Sequence, residues 1–214
     1  MKSFLVLDGE NINSLAFIRE LGNQGYTTGV VGSRKLSLSF FSIYPINRHI
    51  VKADKLSKSY VENVLRIVKK YDYDYVIPVS LESYKSFTEN KKMVGSDLAL
   101  LPPTNSMRIS SNKHMTFSYS EKKGLKIPNS YKIDRTNIGK LSKILEDINF
   151  PIVLKGSLGG TDNLRYCNNV YELISGIRHL LRFETTIVLQ EYINGETHGF
   201  YCLYNKGKIV SYFM

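Results

Sequence analysis

The sequence is poor in cysteine and has no long apolar run. Its two cysteines, Cys167 and Cys202, form neither a close-spaced metal motif nor a disulfide framework, which favours reduced thiols. The first apolar run, residues 4–7, is broken by Asp8 and is too short for the core of a signal peptide. No other stretch approaches the length of a membrane span. We therefore expect a cytoplasmic protein without a membrane partner.

The common nucleotide-binding signatures are also missing. The segment Asp8-Gly9-Glu10-Asn11 differs from the G-x-G-x-x-G of dinucleotide-binding folds, and no glycine-rich run ends in Gly-Lys-Ser/Thr. The chain has no internal repeat and no low-complexity segment. These absences count against a Rossmann dehydrogenase, a P-loop nucleotidase and a repeat protein.

The composition is that of a globular protein with a basic surface. Of 214 residues, 43% are hydrophobic and 22% charged, enough for one large core or two small ones. Lys and Arg number 29 against 19 Asp and Glu, which gives a net charge of +10. Such a charge attracts polyanions, and both a phosphate-handling enzyme and a nucleic-acid binder would have it.

The first hundred residues have the pattern of a parallel α/β sheet. The apolar run at residues 4–7 is followed by apolar positions at helical spacing, Leu15, Ile18 and Leu21, and then by a second apolar run at residues 27–31. A helix is predicted over residues 58–71, a strand over 75–78 and a short strand over 98–101, before Pro102-Pro103 marks a boundary.

Beyond Asn105 the pattern indicates a small α+β unit. A helix carrying Lys113 is predicted first, followed by strands over residues 130–133, 151–155, 164–167 and 187–193 and by helices over 136–148 and 170–183. Asn205-Lys206-Gly207 between two apolar strands predicts a hairpin, because Asn and Gly tolerate positive φ. The overall prediction is an α/β chain that ends in a hairpin.

Lys155 and the glycines after it have the residue types that a mobile phosphate-binding loop needs. Lys155 ends an apolar strand, and Gly156, Gly159 and Gly160 lack side chains that would keep backbone amides from phosphate oxygens. Taken alone, the same residues also fit a surface lysine before an ordinary flexible hairpin.

The segment from Gln190 to Gly195 is typical of a hinge that binds a base. A buried strand ends in Glu191-Tyr192-Ile193 and breaks at Asn-Gly, which exposes backbone N–H and C=O groups beside apolar side chains. Glu191 would accept a hydrogen bond from an exocyclic amine or orient the segment, and His198 is placed to reach a ribose hydroxyl. A strand, turn and strand with an exposed Glu and His fits the same residues.

In this order and spacing, the segments resemble the ATP-grasp superfamily, most closely its carbamoyl-phosphate-synthetase-like carboxylate–amine ligases. The resemblance covers nearly the whole chain. It is carried by residues 77–82, residues 112–116 with Lys113, residues 124–128, residues 151–156 with Lys155, and residues 190–193 with His198.

The resemblance implies a division into three parts. Residues 1–104 would form a Rossmann-like pre-ATP-grasp domain with a parallel sheet. Residues 105–193 would form the small α+β lid subdomain, and residues 194–214 the first hairpin of a truncated C-terminal subdomain.

The resemblance also implies a reaction and a set of ligands. ATP would phosphorylate a small carboxylic acid to an acylphosphate, which an amine then attacks. Lys113 and Lys155 would neutralise phosphate charge, Gly156, Gly159 and Gly160 would close over the phosphates, and Glu191, Tyr192 and Ile193 would hold adenine, with His198 at the ribose.

The expected Mg²⁺ ligands of the family are not found in this chain, because no Asp or Glu follows Glu196. We therefore expect the 214-residue chain to be inactive alone. The apolar side chains of the hairpin would need a cover, either a second copy or a separately encoded C-terminal portion.

Two other functions remain open. A nucleotide-binding or regulatory module without catalysis has the same lysines and hinge. A nucleic-acid binder fits the net charge of +10, but the basic residues are spread through helices and do not form a stripe interleaved with aromatics. A nucleic-acid partner is therefore the less favoured alternative.

Overall fold

The computed structural model describes residues 1–156 and 164–214. The chain divides into two compact units, Met1–Thr116 and Phe117–Met214, which are described separately. The predicted three-part division at residues 104 and 193 stays a prediction. In the described ranges, no helix has both the length and the apolar character needed to cross a bilayer.

The first unit is built on four strands and the helices that connect and cover them. In chain order its elements are β1 (Ser3–Val6), α1 (Ile12–Asn23), β2 (Thr27–Gly32), a 3₁₀ helix (Leu38–Phe41), β3 (Pro45–Ile50), α2 (Lys58–Tyr71), β4 (Tyr75–Ile77), α3 (Leu81–Glu89), α4 (Lys91–Val94) and α5 (Thr104–Ser110). Helix α6 (Lys113–Lys122) follows and contains the boundary between the units.

The strands form a parallel sheet in the order β3-β2-β1-β4, and every pairing between neighbours is parallel. The predicted α/β class with an N-terminal parallel sheet is confirmed. Because β1 connects to β2 on one side while β4 lies on its other side, the chain reverses its direction of travel across the sheet between β1 and β4. In open α/β sheets, ligands bind at the carboxyl ends of strands beside such a reversal.

Side chains on both faces of β1 are buried. Leu5 and Leu7 pack in a cluster with Val61 and Val64 of α2, while Val6 packs on the other face with Ile18 of α1. The helices start where the sequence supplies caps, since Asn11 and Ser57 accept hydrogen bonds from the first turns of α1 and α2.

The second unit is a smaller sheet with its helices packed on one face, followed by a hairpin. Its elements are β5 (Ser130–Asp134), a 3₁₀ helix (Ile138–Lys140), α7 (Leu141–Asp147), β6 (Ile152–Gly156), β7 (Leu164–Cys167), α8 (Val170–Leu180), β8 (Thr186–Glu191), β9 (Tyr201–Asn205) and β10 (Lys208–Phe213). The sheet order is β5-β8-β6-β7, and all its pairings are antiparallel.

One face of this sheet holds the core of the second unit. Leu154 of β6 and Leu189 of β8 pack against Leu173 and Ile177 of α8, and all four are almost fully buried. Gly176 allows this close approach, because a Cβ there would lie 2.6 Å from Leu154 Cδ1. Because side chains alternate along strands, Lys155 and Gln190 lie on the opposite face.

Strands β9 and β10 form the predicted hairpin, turning at Lys206 and Gly207 with φ values of 49° and 80°. Every residue of both strands is exposed. One face carries Tyr201, Leu203 and Phe213, and the other carries Tyr204, Ile209 and Tyr212. Both faces of the hairpin are therefore apolar.

Three predicted elements differ from the structure. Residues 98–101 are not a strand; Leu98 accepts one hydrogen bond from Val76, and Pro102-Pro103 then prevents further pairing. The single helix predicted around Lys113 is two helices, because the Asn112 side chain accepts from Met115 N–H and begins α6 anew. The helix predicted over residues 136–148 starts as the 3₁₀ helix at Ile138–Lys140.

Candidate functional site

Lys155 projects from the face of the second-unit sheet that helix α8 does not cover. It is the fourth residue of β6 and pairs across the sheet with Val188 of β8. Its neighbours Leu154 and Ile152 point into the core, so strand alternation fixes the face on which Lys155 lies.

A directional chain of hydrogen bonds holds the Lys155 ammonium. Lys155 Nζ donates to Oε1 of Gln190 at 2.6 Å, and Gln190 Nε2 donates to Ser130 Oγ at 2.9 Å. Ser130 Oγ in turn donates to the carbonyl of Pro128 at 2.8 Å. The chain links β6, β8 and β5 across one face of the sheet.

The glycines proposed for phosphate binding are only partly described. Gly156 is the last residue of β6, is buried and pairs with Ile187 of β8. Gly159 and Gly160 lie outside the described residues.

Glu191 has a structural partner at the end of β8. Its backbone N–H donates to the carbonyl of Asn129 at 2.9 Å, and its carboxylate accepts from the Asn129 N–H at 3.1 Å. The side chain therefore orients the segment, one of the two roles expected of it.

The residues that follow β8 are exposed. Tyr192 is 40% exposed and its ring makes an edge contact with Tyr166, while Ile193 is 59% exposed. His198 is also exposed, and its Nε2 lies 3.7 Å from a Glu196 carboxylate oxygen. Backbone and apolar groups are thus available beside one another at the end of β8.

Lys113 is the first residue of α6 and belongs to the first unit, whereas Lys155 belongs to the second. Within the second unit the structure brings Lys155 together with Gln190.

A buried ionic cluster lies at the carboxyl end of β1 in the first unit. The Asp8 side chain is completely buried, and Lys55 Nζ lies 2.7 Å from Asp8 Oδ1 and 2.8 Å from Glu10 Oε1. Asp8 Oδ2 also accepts from Ser80 N–H at 2.7 Å and from the Ser83 hydroxyl at 2.6 Å. The cluster therefore fills the space between the ends of β1 and β4.

The cluster shifts the pKa of each of its three ionisable groups. Burial alone would raise the pKa values of Asp8 and Glu10, but hydrogen bonds from Lys55 and from backbone and hydroxyl donors outweigh it and lower both values. Burial would lower the pKa of Lys55, but its two carboxylate partners raise it. All three groups are therefore charged at neutral pH.

These shifts predict acid lability of the first unit. The pKa values of Asp8 and Glu10 lie below their ordinary values of 3.8 and 4.5, so their stabilisation is complete above about pH 5 and is lost as the pH falls through the folded-state values. Lys55 acts oppositely: its contribution is complete below its ordinary pKa of 10.5 and is lost as the pH rises through the folded-state value.

Urea unfolding at pH 7, 5 and 3, followed by hydrogen exchange of the β1 amides, measures the acid limb. We expect a loss of about 1–2 kcal/mol between pH 5 and pH 3, and a smaller loss in Asp8→Asn. Equal stability of the wild-type protein at pH 5 and pH 3 would contradict this prediction.

Clusters of metal-binding side chains are absent from the described residues. In residues 1–156 and 164–214, no three or more His, Cys, Asp or Glu side chains are grouped so that they could hold a metal ion. Asp8 and Glu10 share a lysine cation instead.

The sequence placed Gln190 in the predicted hinge but gave no signal for its contact with Lys155, and it assigned no role to Ser130 or the cluster at Asp8. Gln190 stands two residues after the buried Val188, and this alternation was an available signal that both lie on one face of β8. Lys55 gave no local signal, because its partner Asp8 is distant in sequence and the segment around it is irregular.

No protein-family model and no curated protein matches the chain by sequence. Solved structures match it by fold. An L-amino acid ligase from Bacillus licheniformis superimposes with a TM-score of 0.69 at 16% identity, over 91% of this chain and 45% of the ligase. A D-alanine–D-alanine ligase from Bacillus anthracis gives 0.66 at 14% identity, over 91% and 59%.

A third match carries bound ligands. The biotin carboxylase domain of a 2-oxoglutarate carboxylase from Hydrogenobacter thermophilus, in complex with MgADP, ADP and bicarbonate, gives a TM-score of 0.65 at 17% identity, over 90% of this chain and 44% of that one. The chain thus spans about half the length of the solved structures that it matches.

These likenesses confirm the fold predicted from the resemblance. The chain shares the fold of the matching part of these structures, over about 90% of its own length and about half of theirs. Sequence identities below 20% carry the argument no further than the fold.

Proposed function

We propose that this chain is the ATP-binding portion of an ATP-grasp ligase that activates a small carboxylic acid as an acylphosphate for attack by an amine. The observation that carries the proposal is Lys155, a cation held on the sheet face opposite helix α8, in a sheet whose fold is shared with ligases and carboxylases. The partly exposed apolar side chains of Tyr192 and Ile193 directly follow the neighbouring strand, β8.

In the proposed reaction, a carboxylate oxygen of the acid attacks the γ-phosphorus of ATP. The bond from that phosphorus to the β-γ bridging oxygen breaks, and ADP leaves. The amine nitrogen then attacks the acyl carbon and expels inorganic phosphate, while the nitrogen loses a proton.

The side chains of this chain would bind and orient the nucleotide. Lys155 neutralises negative charge on the phosphates. The backbone from Glu191 to Ile193 pairs with the edge of adenine, and His198 reaches the ribose. Such preorganised donors stabilise charge most effectively where water is excluded.

A non-catalytic nucleotide-binding module is the second candidate. The same supported lysine would bind phosphate with or without turnover. Both candidates predict nucleotide binding, and they differ in turnover.

Calorimetric titration of the 214-residue chain with ADP, ATP and adenosine tests the proposal. We expect ADP to bind at least about tenfold more tightly than adenosine, because one charge-assisted contact to phosphate is worth about 1.5–3 kcal/mol. We expect no sustained ATP turnover by the chain alone. Absence of ADP binding at millimolar concentration would overturn both candidates, and metal-dependent turnover would exclude the non-catalytic one.

The hairpin of β9 and β10 supports a further part of the proposal. Because both faces are apolar, the hairpin suits a sheet that is covered on both sides, as in α/β proteins. We propose that its cover is a second copy of this chain or a further C-terminal portion of the ligase.

Association through the hairpin is measurable by light scattering. Replacing Leu203 on one face or Ile209 on the other by lysine is expected to lower the associated fraction at least about tenfold, since each large apolar side chain contributes about 1.5–3 kcal/mol when buried. Phe41→Lys, an exposed apolar residue of the first unit, is the matched control. A monomeric wild-type chain with protected hairpin amides would contradict the proposal of a second copy as cover.

A further inference from the structure

Gln190 has a position that its neighbours define completely. It is 5% exposed, lies on the central strand β8, and uses both ends of its amide: Oε1 accepts from Lys155 at 2.6 Å and Nε2 donates to Ser130 at 2.9 Å. If the amide were reversed, its NH₂ group would face the Lys155 ammonium, donor against donor. The amide therefore has one favourable orientation.

The series of hydrogen bonds continues from Gln190 through Ser130 to the carbonyl of Pro128. Ser130 Oγ accepts from Gln190 and donates to the carbonyl of Pro128 at 2.8 Å, so its hydroxyl cannot rotate without losing a bond. Pro128 and Ser130 lie at the start of β5, which pairs with β8 in register, Ser130 opposite Gln190. The paired strands therefore fix the positions of the groups in this series of hydrogen bonds, which ends at the Lys155 ammonium.

Fixing a lysine side chain in one conformation is entropically unfavourable. A lysine side chain has four rotatable carbons, and fixing it forfeits about 2 kcal/mol of rotamer entropy. A lysine that is already ordered before the ligand arrives binds more tightly, because that loss does not fall on the binding step. A neutral acceptor such as the Gln190 amide holds the ammonium without cancelling its charge.

We infer that Gln190 is a positioning residue: it orders the Lys155 ammonium on the sheet face opposite α8 for an anionic phosphate, with Ser130 fixing the Gln190 amide. The inference rests on the proposed function, in which Lys155 binds nucleotide phosphate. It assigns Gln190 a role through Lys155 and none in direct contact with nucleotide.

Two substitutions at Gln190 separate this role from a merely structural one. Gln190→Met keeps the size and loses the acceptor, and we expect about tenfold weaker ADP binding with adenosine affinity unchanged. Gln190→Glu keeps the geometry but pairs Lys155 with a negative charge, and we expect ADP binding to weaken further, to about thirtyfold, because the carboxylate competes with phosphate. If Gln190 were only structural, the Gln190→Glu variant would bind ADP more tightly than the Gln190→Met variant.

Ser130→Ala extends the test along the chain. It removes the acceptor for Gln190 Nε2 and is expected to weaken ADP binding about threefold. In the double variant of Ser130→Ala with Gln190→Met, the two losses of ADP affinity should not add, because both substitutions break the same series of hydrogen bonds. Thermal unfolding of each variant checks that the sheet remains folded.

A nucleotide-free measurement keeps the inference separable from the proposed function. The ¹⁵N NMR signal of the Lys155 ammonium is expected to be visible in the wild-type protein and broadened by exchange in Gln190→Met. If the ammonium signal differs in this way between the two proteins but the wild-type protein does not bind ADP, the positioning role of Gln190 is upheld and the nucleotide function is overturned. If the wild-type protein binds ADP and Gln190→Met binds it equally well, the inference is overturned.

Discussion

Replacing Lys55 by methionine is expected to lower the free energy of unfolding of the first unit by about 3 kcal/mol. In the wild-type protein Lys55 Nζ lies 2.7 Å from Asp8 Oδ1 and 2.8 Å from Glu10 Oε1. The substitution removes this cation and leaves the fully buried Asp8 carboxylate next to Glu10. Removing one partner of a buried pair costs about 3–5 kcal/mol, and the partial exposure of Lys55 places the effect at the lower end.

Urea titration with hydrogen exchange of the β1 amides measures this loss. Lys52→Met, an exposed lysine three positions earlier, is the matched control and should change stability by less than about 0.5 kcal/mol. The double variant Asp8→Asn with Lys55→Met should recover part of the loss, because no unpaired charge is then left inside. Equal stability of Lys55→Met and Lys52→Met would show that the cluster contributes nothing.

Replacing Lys155 by methionine is expected to weaken ADP binding about thirtyfold, which corresponds to about 2 kcal/mol. Methionine preserves the length and most of the apolar stem, so the sheet should stay folded while the phosphate contact is lost. Adenosine lacks the phosphates, and its affinity should be unchanged.

Lys143→Met removes one charge from the exposed surface of α7 in the same unit and serves as the control. If it weakens ADP binding as much as Lys155→Met does, the lysines act through net charge and not through a defined contact. A low-salt titration series would then show the same slope for both variants.

The regular elements of the fold followed from local patterns in the sequence. The apolar run that ends at Asp8 predicted β1, and the helical spacing of Leu15, Ile18 and Leu21 predicted α1. Asn205-Lys206-Gly207 predicted the hairpin turn, because the backbone there needs positive φ. In each case the information lies within a few neighbouring residues.

The candidate site was less predictable because its contacts are long-range. Lys155 was singled out from its place at the end of an apolar strand, but its partner Gln190 lies 35 residues later, and the partner of Gln190, Ser130, lies 60 residues before Gln190. Strand register decides such contacts, and the sequence does not specify register without the fold. The break before α6 was missed because a single side-chain cap at Asn112 overrides helical periodicity.

The contacts of Asp8 also bear on the order in which the chain folds. Its carboxylate meets Val79, Ser80 and Ser83, which lie 71 to 75 residues later. At a synthesis rate of about 5–20 residues per second, the residues that contact the Asp8 carboxylate are therefore made several seconds after β1. Until then the charge of Asp8 favours keeping the carboxyl end of β1 in water, because burying an unpaired carboxylate costs free energy.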